Sequence, residues 1–156
     1  MFEEIHVEIG EEIAFFYNNC EDIIPVDDCE PNSLIVFDDC ILEQQNRIKE
    51  YFVRGRHKNI SCIYLSQSFT MVDVKTIRNN LNFLCIFKQS KHYIKMIYDN
   101  FIGSDLKLEQ FQTMCYQCWN DKYGFLTIDL TRKTNDGRLK NMFNVTFNVE
   151  RNVRHV

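Results

Sequence analysis

The sequence predicts an α/β fold built on a mainly parallel sheet. Three short apolar runs, at residues 33–37, 60–65 and 83–87, are rich in branched and aromatic residues, as is typical of buried strands in a parallel sheet. A segment with helical periodicity separates the first two runs, so they predict a right-handed strand–helix–strand unit. Polar residues follow both of these runs, at the sheet edge where α/β proteins bind ligands.

The composition predicts a globular protein. The chain of 156 residues is 45% hydrophobic and 13% aromatic, enough for one domain with its own core. No apolar run approaches the roughly 20 residues that a membrane-spanning helix needs, and the acidic residues 3–4 stand where a signal peptide would be basic. Seven cysteines at irregular spacing favour a reducing compartment. We therefore expect an intracellular protein with no signal peptide and no membrane partner.

The net charge of −4 conceals a strong asymmetry along the chain. Residues 1–46 contain 13 of the 22 acidic residues and no Lys or Arg, so all 18 basic residues lie in residues 47–156. Such asymmetry favours nucleic-acid contact by the basic part. A solvated surface of mixed charge is the alternative interpretation.

The predicted elements follow one another within a single domain. Residues 1–32 form an acidic lead-in, and residues 33–90 contain the three strands and a helix that ends near Gly55, a common helix stop. Residues 91–124 are mostly helical, with a break near Gly103. Residues 125–130 and 142–149 alternate on either side of an Asp-Gly turn, which predicts a C-terminal hairpin over residues 125–149. Its loop contains four basic residues: Arg132, Lys133, Arg138 and Lys140.

A lone Cys-x-x-Cys motif, Cys115 and Cys118, lies in the helical segment. Zinc usually has four protein ligands, and no second pair follows at finger-like spacing. Two ordinary thiols on a helix are therefore the favoured interpretation over a metal or redox site.

Two carboxylates end the first strand, and these are the candidate catalytic residues. Asp38 and Asp39 follow the run 33–37, and Gln67 follows the next run. In a nucleoside triphosphatase, one such carboxylate holds Mg²⁺, another polarises the attacking water, and a polar group on the next strand senses the γ-phosphate. The alternative role for the two aspartates is capping the helix that follows.

Arg54 and Arg56 lie between the helix and the second strand. An arginine can stabilise the charge that develops during phosphoryl transfer. Because the helix runs back along its strands, its end lies at the sheet edge opposite Asp38. A catalytic arginine here would therefore act in trans on a neighbouring subunit, and a solvated basic turn is the alternative.

These residues resemble a known family of motors. Residues 34–39, Leu-Ile-Val-Phe-Asp-Asp, look like a Walker B motif, and they are followed by Arg-Gly-Arg-His at 54–57, Ser-Gln-Ser at 66–68 and Ile-Arg-Asn-Asn at 77–80. This ordered series resembles the genome-packaging ATPases of poxvirus-like large DNA viruses and virus-like transposons, within the FtsK–HerA superfamily. The resemblance is strongest over residues 30–90.

The resemblance implies a P-loop NTPase fold, with a mainly parallel three-layer sheet of the RecA/FtsK type. It also implies roles for the site residues. Asp38 would hold Mg²⁺, Asp39 would occupy the position of the catalytic base, and Gln67 would sense the γ-phosphate of ATP. Arg56, with Arg54 as second choice, would be the arginine finger. The implied partners are double-stranded DNA and further copies of the chain, in the host cytoplasm, the nucleus or a virion.

One family motif is missing from this sequence. No GxxxxGK[ST] stretch occurs, although its backbone N–H groups and lysine normally hold the nucleotide phosphates. The chain therefore resembles the C-terminal part of such an ATPase, incomplete at its N-terminus. We expect one face of its sheet to lie uncovered, and we expect ATP hydrolysis only with a partner chain that supplies a P-loop. The alternative function is a non-catalytic DNA-binding or protein-interaction module that keeps the motor fold.

Overall fold

The chain forms two compact units, Met1–Asn80 and Leu81–Val156. A computed structural model describes residue 17 and residues 22–40, 45–70, 72, 76–103, 106–133 and 136–147. The first unit contains a parallel two-stranded sheet and the second an antiparallel four-stranded sheet, each with helices. The protein is therefore α/β, as predicted. Most of the acidic lead-in and the predicted strand residues 148–149 lie outside the described part.

The first unit is the predicted strand–helix–strand element. Strands β1 (Leu34–Asp38) and β2 (Ser61–Leu65) pair in parallel, with Leu34 opposite Ser61 and Asp38 opposite Leu65. Helix α1 (Asn46–Arg54) connects them and continues into a 3₁₀ turn, Gly55–Lys58. Gly55 is buried there, and a Cβ added to it would lie 3.4 Å from Ile60 Cβ. The helix ends at the predicted glycine, where β2 packs closely.

An aromatic cluster joins α1 to one face of this sheet. The Phe37 ring packs edge-on against Tyr51 at 5.8 Å between centroids, and Tyr64 packs against both Phe37 and Phe52. Phe37 and Tyr51 are almost fully buried. The Tyr51 hydroxyl donates a hydrogen bond to the Ile24 carbonyl at 2.9 Å. Helix, sheet and lead-in loop are therefore fixed together in one core.

The other face of the two-stranded sheet is apolar and exposed. Alternate residues of both strands share it, because successive side chains of a strand point to opposite faces. Leu34 is 60% exposed, Val36 49%, Ile63 44% and Leu65 48%. Parallel sheets are normally covered on both faces. The sequence analysis expected an uncovered sheet face, and these four apolar side chains on one face are exposed.

The second unit places two helices between its first two strands. Strand β3 (Phe83–Ile86) is followed by α2 (Lys91–Ile97), a π-helical turn (Tyr98–Ile102) and α3 (Leu108–Cys118). The predicted break occurs at Gly103, whose φ of 61° ends the helical turn. Strands β4 (Leu126–Asp129), β5 (Leu139–Asn141) and β6 (Val145–Thr146) complete the sheet in chain order.

The third apolar run does not pair as predicted. Strand β3 pairs antiparallel with β4, so parallel pairing within the described residues is limited to β1 and β2. A short apolar run indicates a buried strand but does not specify its neighbour or direction. The C-terminal hairpin also differs in register. β4 pairs with β5 at 139–141 rather than with residues 142–149, and β5 then pairs with β6.

Candidate functional site

The carboxyl ends of β1 and β2 meet at one edge of the parallel sheet. The parallel register places Asp38 opposite Leu65, so the segments after both strands start side by side. The Asp39 backbone N–H donates to the Leu65 carbonyl at 3.2 Å, which extends the pairing by one residue. The two predicted carboxylates and the loop containing Gln67 are therefore at the same edge, as the sequence predicted.

Asp39 and Gln67 are in direct contact. Gln67 Nε2 donates a hydrogen bond to Asp39 Oδ2 at 3.1 Å. Asp39 has a φ of 51°, in the left-handed region that Asp tolerates better than most residues. This backbone conformation ends the strand and directs the second carboxylate toward the loop after β2. Of the predicted site residues, this pair is the one that the structure joins by a hydrogen bond.

The loop that presents Gln67 is fixed by its own serines. Ser66 Oγ accepts a hydrogen bond from the Ser68 backbone N–H at 3.2 Å and donates to the Ser68 carbonyl at 2.9 Å. Ser68 Oγ lies 3.0 Å from Thr70 Oγ1. These bonds restrain the backbone on both sides of Gln67. The Ser-Gln-Ser motif therefore positions the glutamine amide beside Asp39.

Asp38 and Asp39 are both exposed, and both offer oxygen ligands of the kind that Mg²⁺ prefers. Mg²⁺ usually binds one or two carboxylates and completes its shell with water and phosphate oxygens. Within the described residues, no group of three or more His, Cys, Asp or Glu side chains is arranged to hold a metal ion. The edge therefore offers two exposed carboxylates without a third metal-ligating side chain among the described residues.

The basic turn, residues 54–58, lies at the opposite edge of the sheet. Within it, the Lys58 carbonyl accepts from Asn32 N at 3.1 Å, and the side chains of Asn59 and Asn32 bond at 2.7 Å. Asn32 lies two residues before β1 begins, whereas the carboxylates lie at its end. Because β1 has five residues, the two edges are separated by roughly 13 Å. The structure does not bring Arg54 or Arg56 to the carboxylates of its own chain.

The two arginines differ in their contacts. Arg54 NH2 donates to both carboxylate oxygens of Asp27, at 2.6 and 2.7 Å. Arg56 is exposed and forms no side-chain hydrogen bond or ion pair with any part of the chain that the structure describes. Arg54 therefore attaches the lead-in loop to α1, while the Arg56 guanidinium is available to another molecule.

Sequence reasoning did not identify Asp27 and Lys58 as partners in this region. Lys58 Nζ donates to the carbonyl oxygens of Asp27, at 2.7 Å, and of Cys29. The available signal was the acidic lead-in, which complements the basic turn in charge. Because these contacts join residues some 27–31 positions apart in the chain, spacing alone could not pair them.

The other chemical motifs have structural roles within the described part of the chain. Cys115 and Cys118 are fully buried on α3. Burial raises the pKa of the Cys115 thiol to about 12 and that of the Cys118 thiol to about 11. Such thiols are unreactive at neutral pH. They are therefore core residues, as favoured from the sequence.

The basic hairpin loop is largely bound to its own unit. Lys140 Nζ and Arg132 Nε each lie 3.2 Å from Asp129 Oδ2, and Arg138 NH2 donates to the Phe101 carbonyl at 2.7 Å. Three of the four predicted loop cations thus have partners within the second unit. Lys133 is exposed.

Comparison with known proteins identifies one family. A family model described as "Poxvirus A32 protein" matches residues 18–131, which is most of the chain. The match includes all five candidate site residues. No curated protein and no solved structure matches the chain. None of the helices in the described part has the length and apolar character needed to cross a membrane.

Proposed function

The chain belongs to the poxvirus A32 family of genome-packaging ATPases, and from this premise we propose that it is the Walker B and sensor part of a viral DNA-packaging motor. The observation that supports this most directly is the contact between Asp39 and Gln67 at the carboxyl edge of a parallel strand pair. A water-polarising carboxylate and a γ-phosphate sensor must lie this close, because both act on the terminal phosphate of ATP.

Each carboxylate has a separate role in this proposal. Asp38 holds Mg²⁺, the Lewis acid that neutralises developing phosphate charge when it is bound. Asp39 acts as the general base and polarises the attacking water. The hydrogen bond from Gln67 orients the Asp39 carboxylate in the absence of nucleotide. Gln67 then exchanges this bond for one to the γ-phosphate.

Arg56 is the arginine finger of the proposal, and it acts on the site of a neighbouring copy in a homo-oligomer. Its exposure, its lack of a described partner and its position at the sheet edge away from the carboxylates support a role in trans. Arg54 is the second choice, because it must first release Asp27.

The phosphate-binding loop is supplied by a complementing chain in this proposal, since the sequence contains no GxxxxGK[ST] stretch. The uncovered face of the parallel sheet, formed by Leu34, Val36, Ile63 and Leu65, offers a place for the helix of such a chain, whose strand would pair along an edge of the sheet. Covering that face would complete a three-layer sheet of the P-loop type within the FtsK–HerA superfamily. ATP and Mg²⁺ are then the cofactors, and duplex DNA in an infected cell or virion is the translocated partner.

Metal–nucleotide binding tests the role of Asp38. Mn²⁺ replaces Mg²⁺ and can be followed by electron paramagnetic resonance as it binds with ATP. We expect Asp38→Asn to weaken Mn²⁺–ATP binding roughly tenfold or more, because a carboxylate ligand is lost. Asp27→Asn is the matched control, an exposed acid in the same unit that pairs with Arg54. Equal binding by wild type and Asp38→Asn would refute the assignment.

Hydrolysis is tested by complementation. The nucleotide sequence upstream of the Met1 codon, read in all frames, identifies a candidate chain with a GxxxxGK[ST] stretch. We expect Mg²⁺-dependent ATP hydrolysis only when both chains are mixed, and we expect it to be abolished by Asp39→Ala or Arg56→Ala in this chain. Hydrolysis that survives Asp39→Ala would exclude Asp39 as the base.

The basic second part of the chain favours one alternative function, a DNA-binding module without catalysis. Residues 47–156 contain all 18 basic residues against nine acids. This alternative predicts DNA binding that weakens steeply with salt and is unchanged by Mg²⁺–ATP and by Asp38→Asn. The motor proposal predicts that nucleotide alters DNA affinity.

A further inference from the structure

The second unit exposes a row of aromatic rings at one end of its antiparallel sheet. Phe87 directly follows β3, Phe125 directly precedes β4, and Phe143 follows β5. The ring centroids of Phe87 and Phe125 are 5.1 Å apart, and those of Phe125 and Phe143 are also 5.1 Å apart. Phe87 is 53% exposed and Phe143 64% exposed. The aromatic row is therefore continuous across three strands, with its two outer rings exposed and Phe125 partly buried between them.

The row is built by the strand register rather than by chance proximity on loops. Ile86 pairs with Leu126, which places Phe87 and Phe125 across from each other one residue further along. The Met142 backbone N–H donates to the Phe125 carbonyl at 2.9 Å, which holds the neighbouring Phe143 beside the middle ring. The aromatic row thus rests on sheet hydrogen bonds and keeps its spacing without a ligand.

Lysines interleave with these rings along the chain. Lys88 follows Phe87, and Lys91 begins α2 three residues later. Lys122 precedes Phe125 by three residues, a separation of at most about 11 Å. The segments 87–91, 121–125 and 141–145 together contain these three lysines and a single acid, Asp121. Basic residues therefore outnumber acidic residues in the segments that carry the row.

A fourth aromatic side chain lies close to the row along the chain. Tyr123 is 77% exposed and lies two residues before Phe125. Lys122 Nζ lies 4.9 Å from the centroid of the Tyr123 ring, which is cation–π distance. An exposed apolar patch usually marks a binding surface. Rings alternating with cations match one ligand chemistry in particular, stacked bases joined by phosphates.

We propose that the aromatic row of Phe87, Phe125 and Phe143, with Lys88, Lys91 and Lys122 beside it, binds single-stranded DNA by stacking unpaired bases. Flat bases pack on aromatic rings regardless of sequence, and the lysines neutralise the connecting phosphates. An apolar protein partner would gain nothing from the lysines, and a purely electrostatic contact would gain nothing from the exposed rings. The inference goes beyond the proposed duplex partner of the motor, and it assigns this contact to the second unit, whereas the proposed nucleotide site is in the first.

The test is binding of a fluorescein-labelled oligo(dT) strand by fluorescence anisotropy, without nucleotide or metal. We expect Phe143→Leu to weaken binding roughly tenfold, because an apolar side chain remains but the ring is lost. Phe143→Trp retains a ring and should bind at least as tightly as wild type. Phe83→Leu is the matched control, since Phe83 is 52% exposed on β3, at its far end from Phe87. It should leave the affinity unchanged.

The salt dependence of oligo(dT) binding distinguishes base stacking from contacts between lysines and phosphates. Binding measured between about 50 and 200 mM salt should show a shallower salt slope for Lys88→Gln and Lys122→Gln, while Phe143→Leu should keep the wild-type slope. An unlabelled duplex of the same length should compete poorly, because its bases are already stacked. This pattern would support the proposal even if one variant were destabilised.

Three results would overturn the proposal. Wild-type protein that does not bind oligo(dT) would do so, as would Phe143→Leu with unchanged affinity. Duplex competing as well as the single strand would assign the surface to phosphate contacts alone. The assay contains no ATP, so none of these results bears on the proposed roles of Asp38 and Asp39.

Discussion

Asp39 in the first unit and Asp129 in the second show how the same type of side chain serves two different purposes. Asp39 is exposed at a strand end and accepts one described hydrogen bond, from Gln67. Asp129 is 2% exposed, accepts hydrogen bonds from the backbone and hydroxyl of Thr131, at 3.1 and 2.6 Å, and forms ion pairs with Lys140 and Arg132. The first carboxylate keeps lone pairs for a ligand, whereas those of the second are satisfied internally.

The contrast extends to the units that hold them. The first unit aligns polar residues at the carboxyl edge of a parallel pair, the usual place for an α/β site. The second uses its polar residues to fix a hairpin and leaves aromatic rings exposed. In our proposal the catalytic residues therefore belong to the first unit, and the second unit provides structure and the proposed contact with single-stranded DNA. Each prediction below tests one side of this division.

The largest expected effect is on the core of the first unit. Phe37 is almost fully buried among Tyr51, Phe52 and Tyr64, so Phe37→Ala should lower the free energy of unfolding by about 3–5 kcal/mol. Urea unfolding with pulsed thiol labelling measures this unit by unit. Cys29 and Cys62 should become reactive before the buried Cys115 and Cys118. Phe83→Ala, at an exposed ring, should change stability by less than about 0.5 kcal/mol. Simultaneous labelling of all four thiols would mean that the units unfold together.

Among the glycines of the second unit, Gly124 has the least space for a Cβ atom. A Cβ there would overlap the Cys118 carbonyl oxygen, and backbone cannot move aside as a flexible side chain can. We expect Gly124→Ala to lower the free energy of unfolding by about 3 kcal/mol. At Gly103, with φ 61°, ψ −130° and no atom within 4 Å of an added Cβ, alanine should cost about 1–2 kcal/mol, from backbone strain alone. Thermal unfolding of both variants, followed by circular dichroism, compares the two causes. Equal losses would argue against the overlap.

Removing the Asp129 carboxylate should have a somewhat smaller effect. Asp129→Ala leaves Lys140, Thr131 and Arg132 without their shared acceptor, at a cost of about 2 kcal/mol. Burial alone would raise the pKa of Asp129, but hydrogen bonds from Thr131 and Lys140 outweigh it, and the pKa falls below its ordinary value of 3.8. A carboxyl whose folded-state pKa is lowered stabilises the fold above its unfolded-state pKa, and that contribution is lost as pH falls through the folded-state value.

Acid unfolding measures this contribution. Stability from Asp129 should be complete at neutral pH and should decline only below about pH 4. Urea midpoints of wild type and Asp129→Asn should therefore converge as the pH is lowered. Phe83→Ala, which changes no titratable group, is the control and should keep a nearly constant difference from wild type. A wild-type advantage over Asp129→Asn that grew on acidification would contradict the sign of the pKa shift.

The sequence predicted the first unit more fully than the second. The segment containing β1, α1 and β2 is local, and its order fixes both the right-handed connection and the edge where Asp38, Asp39 and Gln67 meet. In the second unit, two helices separate β3 from β4, so the direction of pairing depends on contacts distant in sequence. The position of β5 depended on the Asp129 cluster, which fixes the turn three residues earlier than the alternation of residues 142–149 indicated. The lead-in contacts of Arg54 and Lys58 were missed for the same reason.

The smallest expected effect distinguishes the two candidate arginine fingers. Arg54 and Asp27 are about half exposed or more, and exposed pairs of this kind usually contribute about 0.2–1 kcal/mol. A double-mutant cycle of Asp27→Ala and Arg54→Ala should give a coupling in that range, which falls with added salt. Arg56→Ala should leave stability within about 0.5 kcal/mol of wild type, because Arg56 has no described partner to lose.

The same three variants can be measured in the ATPase reconstituted with its P-loop chain. There, the order of their effects on hydrolysis should be the reverse of the order of their effects on stability. Arg56→Ala should abolish hydrolysis, while Asp27→Ala, which frees Arg54, should leave it unchanged. Hydrolysis that increases in Asp27→Ala and survives Arg56→Ala would make Arg54 the finger and its ion pair with Asp27 a restraint on it. Either result identifies the arginine that acts in trans, because Arg54 and Arg56 are two residues apart and, of the two, Arg54 has the described ion pair. The basic edge of the first unit would then complete a site whose carboxylates lie on another copy.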